Sequence, residues 1–227
     1  LLVNNLLPVD RADGYDVAAS VSLIDTATNQ VAQVRLLNGS TSLRGVCVSP
    51  DGKYAYVTHI LSRYQMPTTQ LERGWMNTNA LTIIDLAAKK LLNTVLLDDV
   101  DLGAANPYGV ACTADGKQIC VTHAGTHELS VIEAPALLEK LAKIAAEPKD
   151  AAKLKPEERM NYSSLTAADV PNDLSFLVGL RQRIKVEGLG PRGLAVVGTK
   201  AYIACYYSDA LAVVDLSPKP DKLVSAI

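Results

Sequence analysis

Residues that can bind metal ions recur at one position of a repeated sequence pattern. His59 follows Tyr-Val-Thr, His123 follows Cys-Val-Thr and Cys205 follows Tyr-Ile-Ala. His127 comes shortly after His123. Imidazole and thiolate are ligands for zinc, copper and iron, so these residues form a candidate metal site. Equivalent positions in neighbouring repeats are expected about 10 Å apart, the spacing of packed sheets. One ion could be shared only if loops supply further ligands, and the alternative is that these side chains bind no metal.

A second set of residues with binding chemistry lies at the start of the same repeats. Arg44, Tyr108 and Arg192 each precede a glycine, which lets backbones approach closely. We expect these residues at the mouth of a central channel, where Arg44 and Arg192 could bind an anion or a partner's carboxylate. Trp75, in the long connection 60–79, is expected on the same face and completes the predicted channel-mouth binding site. The alternatives are solvated rim charges and a loop that only covers the face.

Other chemistry has no matching residue set. No Ser-His-Asp order, glycine-rich phosphate loop or closely paired carboxylates occur, so we predict no catalytic residues. The cysteines have no Cys-x-x-Cys spacing, which excludes a zinc knuckle and a c-type haem attachment site within this chain. No cofactor is therefore expected in this segment. We expect isolated core thiols at Cys47, Cys112, Cys120 and Cys205.

The candidate residues belong to an internal repeat. Residues 45–59, GVCVSPDGKYAYVTH, align without a gap with residues 109–123, GVACTADGKQICVTH. A third copy at 193–205 has a shorter turn. Each copy has an apolar strand, a turn and a second apolar strand, and Asp-Gly supplies the positive-φ residue of a tight hairpin. The register of this hairpin separates Cys112 from Cys120, which argues against a disulfide between them.

Two further strands complete each repeat. The third strand ends in an acidic residue that can accept backbone N–H groups of the next turn, a capping role rather than a catalytic one. These residues are Asp25, Asp85, Glu133 and Asp215. A fourth strand with alternating apolar residues follows at 30–36, 90–96 and 183–186.

Four short antiparallel strands, repeated at about 40 residues, predict an all-β fold made of β-propeller blades. About four blades are expected: 1–37 without its inner strand, 43–97, 106–187 with a helical insertion at 134–179, and 191–227. An open arc would expose large apolar faces. We therefore expect further blades, or another copy of the chain, to close a ring of about seven blades.

The insertion has helical periodicity. Its apolar residues are spaced for one helical face, with charged residues on the other; they are Leu137, Leu138, Leu141 and Ile144. Pro148 is expected to end this helix, and residues 173–178 are predicted to form a short second helix. Packing beneath the blades and packing against a neighbouring domain both fit this pattern.

Composition limits the class of protein. The 227 residues are 48% hydrophobic and 20% charged, enough to form a substantial core. The formal charge of -2 and the absence of Lys/Arg runs argue against nucleic acid as a partner. No apolar stretch reaches the roughly 18 residues of a membrane-spanning helix. Leu1 begins an apolar strand pattern, so we expect the natural N-terminus elsewhere.

The order Val-Ser-Pro-Asp-Gly-Lys-x-Ala-Tyr-Val-Thr-His at 48–59, followed by Ile-Ile-Asp, resembles the bacterial YVTN-type β-propeller repeat of surface-layer-like and YncE-like proteins. Residues 64–79 and 123–130 are similar to exported bacterial propellers fused to a di-haem cytochrome c peroxidase-like domain. The resemblance implies an extracytoplasmic protein, in the periplasm or at the cell surface. It also implies haem c outside this segment and a propeller that binds, docks or orients a partner for electron transfer.

Three functions fit the sequence. The favoured hypothesis is a non-catalytic binding and docking module linked to a c-type cytochrome or peroxidase-like electron-transfer domain. The alternatives are a propeller enzyme, such as a lactonase or metal-dependent hydrolase with its site at the channel mouth, and a structural surface-layer module. The expected partners are the remaining blades or another copy of the chain, and a cytochrome domain or redox protein.

Overall fold

The computed structural model describes residues 2–4, 17–62, 76–146, 166–217 and 223–226, which contain four antiparallel sheets. The first sheet comprises β1 (Leu2–Asn4), β2 (Ser20–Ile24) and β3 (Val31–Arg35). The second comprises β4 (Ser40–Val48), β5 (Tyr54–Ser62), β6 (Asn77–Asp85) and β7 (Lys90–Leu96). The third comprises β8 (Pro107–Cys112), β9 (Gln118–His123), β10 (Glu128–Glu133) and β11 (Arg181–Lys185). The fourth comprises β12 (Pro191–Val197), β13 (Lys200–Cys205), β14 (Ala210–Asp215) and β15 (Leu223–Ala226).

The first strands of successive four-stranded sheets pack directly on one another. A Cβ atom added at Gly45 of β4 would lie 2.3 Å from the carbonyl oxygen of Tyr108 in β8. One added at Gly109 would lie 2.6 Å from the carbonyl oxygen of Arg192 in β12. Only glycine allows such an approach. Within each sheet the strands pair in chain order. Antiparallel sheets joined in this way are propeller blades, which confirms the predicted fold class.

A threonine hydroxyl joins the second blade to the third. The Thr58 hydroxyl accepts a hydrogen bond from the backbone N–H of Gly45, at 3.0 Å, and donates one to the carbonyl of Tyr108, at 2.8 Å. The ladder between β4 and β5 shifts register between Thr41 and Gly45, so regular pairing is interrupted beside this contact. The hydroxyl therefore connects two blades at the point where their backbones are closest.

The same contact recurs one blade further on. The Thr122 hydroxyl accepts from the N–H of Gly109, at 2.9 Å, and donates to the carbonyl of Arg192, at 3.2 Å. We call this arrangement the threonine bridge. The equivalent position in the fourth blade is Ala204, which has no hydroxyl to form one.

The hairpin turns have the predicted geometry. Gly52 and Gly116 have φ values of 72° and 71°, the left-handed conformation expected after Asp. The Asp51 carboxylate accepts from the hydroxyl of Ser49, at 2.6 Å, and from the N–H of the residue after Gly52, at 3.1 Å. Asp115 makes the equivalent pair of bonds in the third blade.

The acidic residues at third-strand ends cap the following turns, as predicted, at three of the positions. Asp25 accepts the backbone N–H of Ala27, at 2.8 Å, and Asp85 accepts that of Ala88, also at 2.8 Å. Asp215 accepts from the N–H of the second residue after it, at 2.9 Å. At Glu133 the chain passes directly into the helix of the insertion.

The helical insertion packs on the blades. Its helix α1 spans Ala134–Ala146 and buries Leu137 and Leu141, two residues of the predicted apolar face. They join a core cluster that also contains Tyr56 of β5 and Ile119 of β9. This cluster draws on both the second and the third blade. Of the two predicted arrangements, the structure therefore shows packing against the blades.

The predicted second helix at 173–178 is wrong. A 3₁₀ helix spans Val170–Asn172, and turns follow it. The Asp173 carboxylate accepts from the backbone N–H and the hydroxyl of Ser175, at 2.8 and 2.6 Å. Such local side-chain bonds compete with helix formation. The segment is held instead by packing, since Phe176 is buried in the same cluster as α1.

The connection between β5 and β6 is shorter than predicted because both strands extend further. Ile60 pairs with Asn79 and Ser62 with Asn77, and the Ser62 hydroxyl donates to the Asn77 side chain, at 2.9 Å. Trp75 and Pro148, with the predictions made for them, lie outside the described residues.

We expect Thr58→Val to lower the free energy of unfolding by about 1–3 kcal/mol, because a part-buried N–H and carbonyl lose their partner. Thr199→Val is the matched control, since Thr199 is exposed in the turn after β12. Denaturant unfolding of the intact protein measures both. Equal stability of Thr58→Val and the wild type would contradict the role of the threonine bridge.

Candidate functional site

The structure brings three of the predicted channel-mouth residues together. The guanidinium carbon of Arg44 lies 4.6 Å from the ring centre of Tyr108. That of Arg192 lies 4.9 Å from the same ring. Gly45, which follows Arg44, approaches the carbonyl of Tyr108, and Gly109, which follows Tyr108, approaches the carbonyl of Arg192, so the close backbone contacts set the spacing of the three side chains. Guanidinium groups at this distance from an aromatic ring make cation–π interactions.

Two further aromatic residues, not predicted from the sequence, extend this group. The guanidinium carbon of Arg192 lies 4.0 Å from the ring centre of Tyr206 and 5.1 Å from that of Tyr207. Its Nη2 also donates to the Tyr207 hydroxyl, at 2.9 Å. The two tyrosine rings are 5.1 Å apart at an angle of 82°, an edge-to-face arrangement. We call Arg44, Tyr108, Arg192, Tyr206 and Tyr207 the arginine–tyrosine cluster.

A glycine loop fixes the position of these tyrosines. Tyr206 and Tyr207 lie in the turn after β13, and their N–H groups donate to the carbonyls of Gly190, at 2.9 Å, and Leu189, at 3.0 Å. A Cβ atom at Gly190, which has a φ of 66°, would lie 2.4 Å from the ring of Tyr207. The ring therefore packs directly on the backbone. The adjacent tyrosines after the third repeat copy were the only sequence signal for this contact.

The cluster leaves positive charge unneutralised. In the parts of the chain that the structure describes, neither Arg44 nor Arg192 forms an ion pair with a carboxylate. Arg44 is exposed, and both tyrosines of the turn are 62% exposed. An open groove of about 750 Å³ runs beside Arg192 and Tyr206 and is also lined by Asp209 and Leu211. Stacked, unpaired guanidinium groups are suited to binding carboxylates.

His59, a candidate metal ligand, is enclosed within its blade. It lies inside β5, which continues for three residues beyond it to Ser62. It is fully buried, with Nε2 2.7 Å from the Thr82 hydroxyl and Nδ1 3.1 Å from the Ile60 carbonyl. Burial lowers the pKa of His59 to about 4. The neutral ring therefore donates from Nδ1 and accepts at Nε2.

His123 has an equivalent environment at the end of β9. It is fully buried, with Nε2 2.8 Å from the Ser130 hydroxyl and Nδ1 2.9 Å from the Ala104 carbonyl. Burial is the main cause that lowers its pKa to about 3. Both ring nitrogens are thus engaged in hydrogen bonds, as in His59.

The remaining candidate ligands have separate local partners. His127 accepts the N–H of Gly190 at its Nδ1, at 3.0 Å. Cys205 is buried under the backbone of Gly188, where a Cβ atom would lie 2.8 Å from its sulfur. Among the described residues, no three His, Cys, Asp or Glu side chains form a group that could hold a metal ion.

A network of charged residues, also not predicted, ties the loop after β7 to β11. Arg183 pairs with Asp99, at 2.9 Å, and donates from Nε to Glu128, at 3.0 Å. Arg181 also pairs with Asp99, and Lys185 with Glu128, at 3.0 Å. The Arg183 and Glu128 side chains are only 10% and 5% exposed. The buried Arg183 and Glu128 are paired with each other and with further charged partners, so the network stabilises the fold rather than offering a binding site.

No protein-family model matches the sequence. Individual proteins of known structure or sequence do. The chain is 28% identical over 197 residues to hydrazine synthase subunit beta of Kuenenia stuttgartiensis, covering 86% of this chain and 46% of that protein. A solved structure of Kuenenia stuttgartiensis hydrazine synthase matches with a TM-score of 0.71 at 28% identity, over 88% of this chain and 52% of that one. The relatives share this propeller fold. The chain spans about half of their length.

More distant structures share the propeller fold alone. A nidogen–laminin complex matches over 92% of the chain with a TM-score of 0.52 at 16% identity. A protein of unknown function from Desulfotomaculum acetoxidans matches over 92% with a TM-score of 0.51 at 12% identity. The resemblance to YVTN-type repeats and to cytochrome fusions stays a prediction. In the described part of the chain, no helix is both long and apolar enough to cross a membrane.

The buried histidines predict a loss of stability in acid. Their folded pKa values of about 4 and about 3 lie below the value of about 6.5 expected in the unfolded chain. Between these limits the unfolded chain binds more protons, so stability is full above pH ~6.5 and falls as the pH decreases. We expect His59→Gln to reduce this slope by about 1 kcal/mol per pH unit between pH ~6 and ~4.5. If unfolding free energy falls with pH equally steeply in the wild type and in His59→Gln, the predicted contribution of His59 is contradicted.

Proposed function

We propose that this chain is a non-catalytic docking module of a larger bacterial protein, and that its arginine–tyrosine cluster binds an acidic surface of a partner polypeptide. The observation that carries the proposal is the stacking of Arg44 and Arg192 on Tyr108, with neither guanidinium paired to a carboxylate among the described residues. Holding cations on aromatic rings limits their conformational freedom, so binding a carboxylate costs less side-chain entropy.

The relatives support a function in association with other polypeptides. The related protein from Kuenenia stuttgartiensis is named as a subunit, and so assembles with other chains in an enzyme. Arginine and tyrosine are enriched at the centres of protein interfaces. In this proposal the propeller supplies a rigid surface, and the chemistry occurs in another domain or subunit.

We further propose that the parent protein is exported and linked to a c-type cytochrome or peroxidase-like electron-transfer domain. The support is the resemblance of residues 64–79 and 123–130 to propellers of that kind. The four cysteines of this chain do not fit a c-type haem, because none has the Cys-x-x-Cys spacing. Haem would be held elsewhere, and this chain would position its domain.

The alternative of a propeller hydrolase has less support. His59 and His123, its candidate metal ligands, use both ring nitrogens in hydrogen bonds within their blades. A surface-layer module would not require the arginine–tyrosine cluster. No observation on the described residues favours either alternative.

Site-specific photo-crosslinking in the native host tests the docking surface. A benzophenone amino acid at Leu211, which lines the groove beside Arg192, is expected to form a covalent adduct with a second polypeptide. The matched control is the same amino acid at Val197, at the end of β12 opposite to Arg192. Both side chains are exposed, Leu211 to 42% and Val197 to 66%. Adding Arg192→Gln to the Leu211 probe should reduce the adduct at least about tenfold, the effect of losing about 1.4 kcal/mol.

Adducts of equal yield from both positions, or an adduct unaffected by Arg192→Gln, would overturn the docking proposal. The electron-transfer proposal has its own measurement. The crosslinked partner, or the full-length protein, should show c-type haem absorbance in the extracytoplasmic fraction. Its absence from both would refute the cytochrome link and leave the docking result intact.

A further inference from the structure

Two cysteines from adjacent blades meet between their first strands. The sulfur of Cys47 in β4 lies 3.5 Å from that of Cys112 in β8. All four cysteines of the chain are free thiols, and these two are partly exposed while Cys120 and Cys205 are buried. The sequence prediction of isolated thiols is therefore wrong for this pair.

Strand alternation explains why these two side chains face each other. A Cβ atom at Gly45 would lie 3.1 Å from Cγ1 of Val110, so these positions face one another across the two blades. Side chains two residues apart on a strand share a face. Cys47 is two residues beyond Gly45, and Cys112 is two residues beyond Val110. The pair therefore lies one step along the same blade interface.

Alignment of the repeats does not reveal this contact. Cys47 aligns with Ala111, and Cys112 aligns with Val48, so the two cysteines are not at equivalent positions. They meet because the interface joins opposite faces of successive blades, which offsets the contacting positions by one residue. A cysteine at only one of these sites would have no such neighbour.

Cys120 is poorly placed to form a disulfide with Cys112. It pairs with Ala111, while Cys112 pairs with Ile119, so Cys112 and Cys120 are not cross-strand partners. Cys120 packs in a cluster with Ile203 of the fourth blade. Cys112 packs in the cluster that the second and third blades share. The two thiols thus point to opposite faces of their sheet.

The pair is also suited to thiol chemistry. The two thiols are hydrogen-bonded to each other, and a bond donated by Cys47 lowers the pKa of Cys112 and raises that of Cys47. Thiolate is the species that attacks a disulfide. With Cys47 as the donor, Cys112 is the first nucleophile and Cys47 is the second.

We propose that Cys47 and Cys112 are the site of an inter-blade disulfide, formed by exchange with a small disulfide such as oxidised glutathione. The Cys112 thiolate attacks one glutathione sulfur, which forms a mixed disulfide and releases one glutathione thiolate that takes up a proton. Cys47 then loses its proton and attacks the Cys112 sulfur, releasing the second glutathione. The two thiols are oxidised by two electrons, and one oxidised glutathione is reduced to two molecules of glutathione.

The two sulfurs must approach from 3.5 Å to about 2.05 Å. The bond would close a loop between residues separated by 65 positions and would join the first strands of two blades. A crosslink of this span restricts the unfolded chain strongly, so we expect the thermal midpoint to rise on the order of 5–10 °C.

Peptide mapping of the intact protein tests the proposal. Protein reduced and then exposed to oxidised glutathione is alkylated under denaturing conditions and digested with trypsin. Cleavage after Lys53 and Lys117 places Cys47, Cys112 and Cys120 on three different peptides. The expected product is a disulfide that joins the Cys47 and Cys112 peptides, with Cys120 and Cys205 alkylated.

Variants separate a specific link from general oxidation. Cys47→Ala and Cys112→Ala should each abolish the rise in thermal midpoint on oxidation, whereas Cys120→Ala, the matched control, should retain it. A persistent glutathione adduct at Cys112, a link to Cys120, or a Cys47–Cys112 link that forms only in denaturant would overturn the proposal. The mapping on the wild type decides the question even if a variant folds poorly.

Discussion

The close approach of first strands, bridged by a threonine hydroxyl, is the interaction on which this arc of blades depends. Gly45 and Gly109 bring two backbones to a distance that any side chain would prevent. Thr58 and Thr122 then satisfy both the N–H and the carbonyl left at that point. A part-buried backbone group without a partner is costly, so the hydroxyl makes close packing compatible with hydrogen bonding.

The candidate site follows from the same constraint. Arg44, Tyr108 and Arg192 stack because they lie at the closest contacts between first strands, where Gly45 meets the Tyr108 carbonyl and Gly109 meets the Arg192 carbonyl. Their spacing is therefore set by backbone packing and not by flexible loops. The histidines one residue beyond the bridging threonines are used differently: buried, neutral and bonded to hydroxyls, they connect strands within a blade.

The sequence predicted what local patterns determine. Asp-Gly turns, three of the four acidic strand ends and the apolar face of α1 depend on neighbouring residues, and the structure confirms them. Contacts between distant segments were missed. Arg183 and Asp99 are 84 positions apart, and Cys47 and Cys112 lie out of repeat register. Residues 173–178 form turns and not the predicted helix, because the Asp173 carboxylate accepts hydrogen bonds from the backbone and hydroxyl of Ser175.

The side chains that successive blades present to the next first strand are not the same. Where Thr58 and Thr122 offer a hydroxyl to the next blade, the fourth blade presents the methyl group of Ala204. A blade packed against Ala204 would make apolar contacts with its methyl group but no side-chain hydrogen bond, so the two blades would be held together less strongly. Thermal opening would therefore have a preferred direction, with hydrogen exchange advancing from the Ala204 side while the bridged blades stay closed.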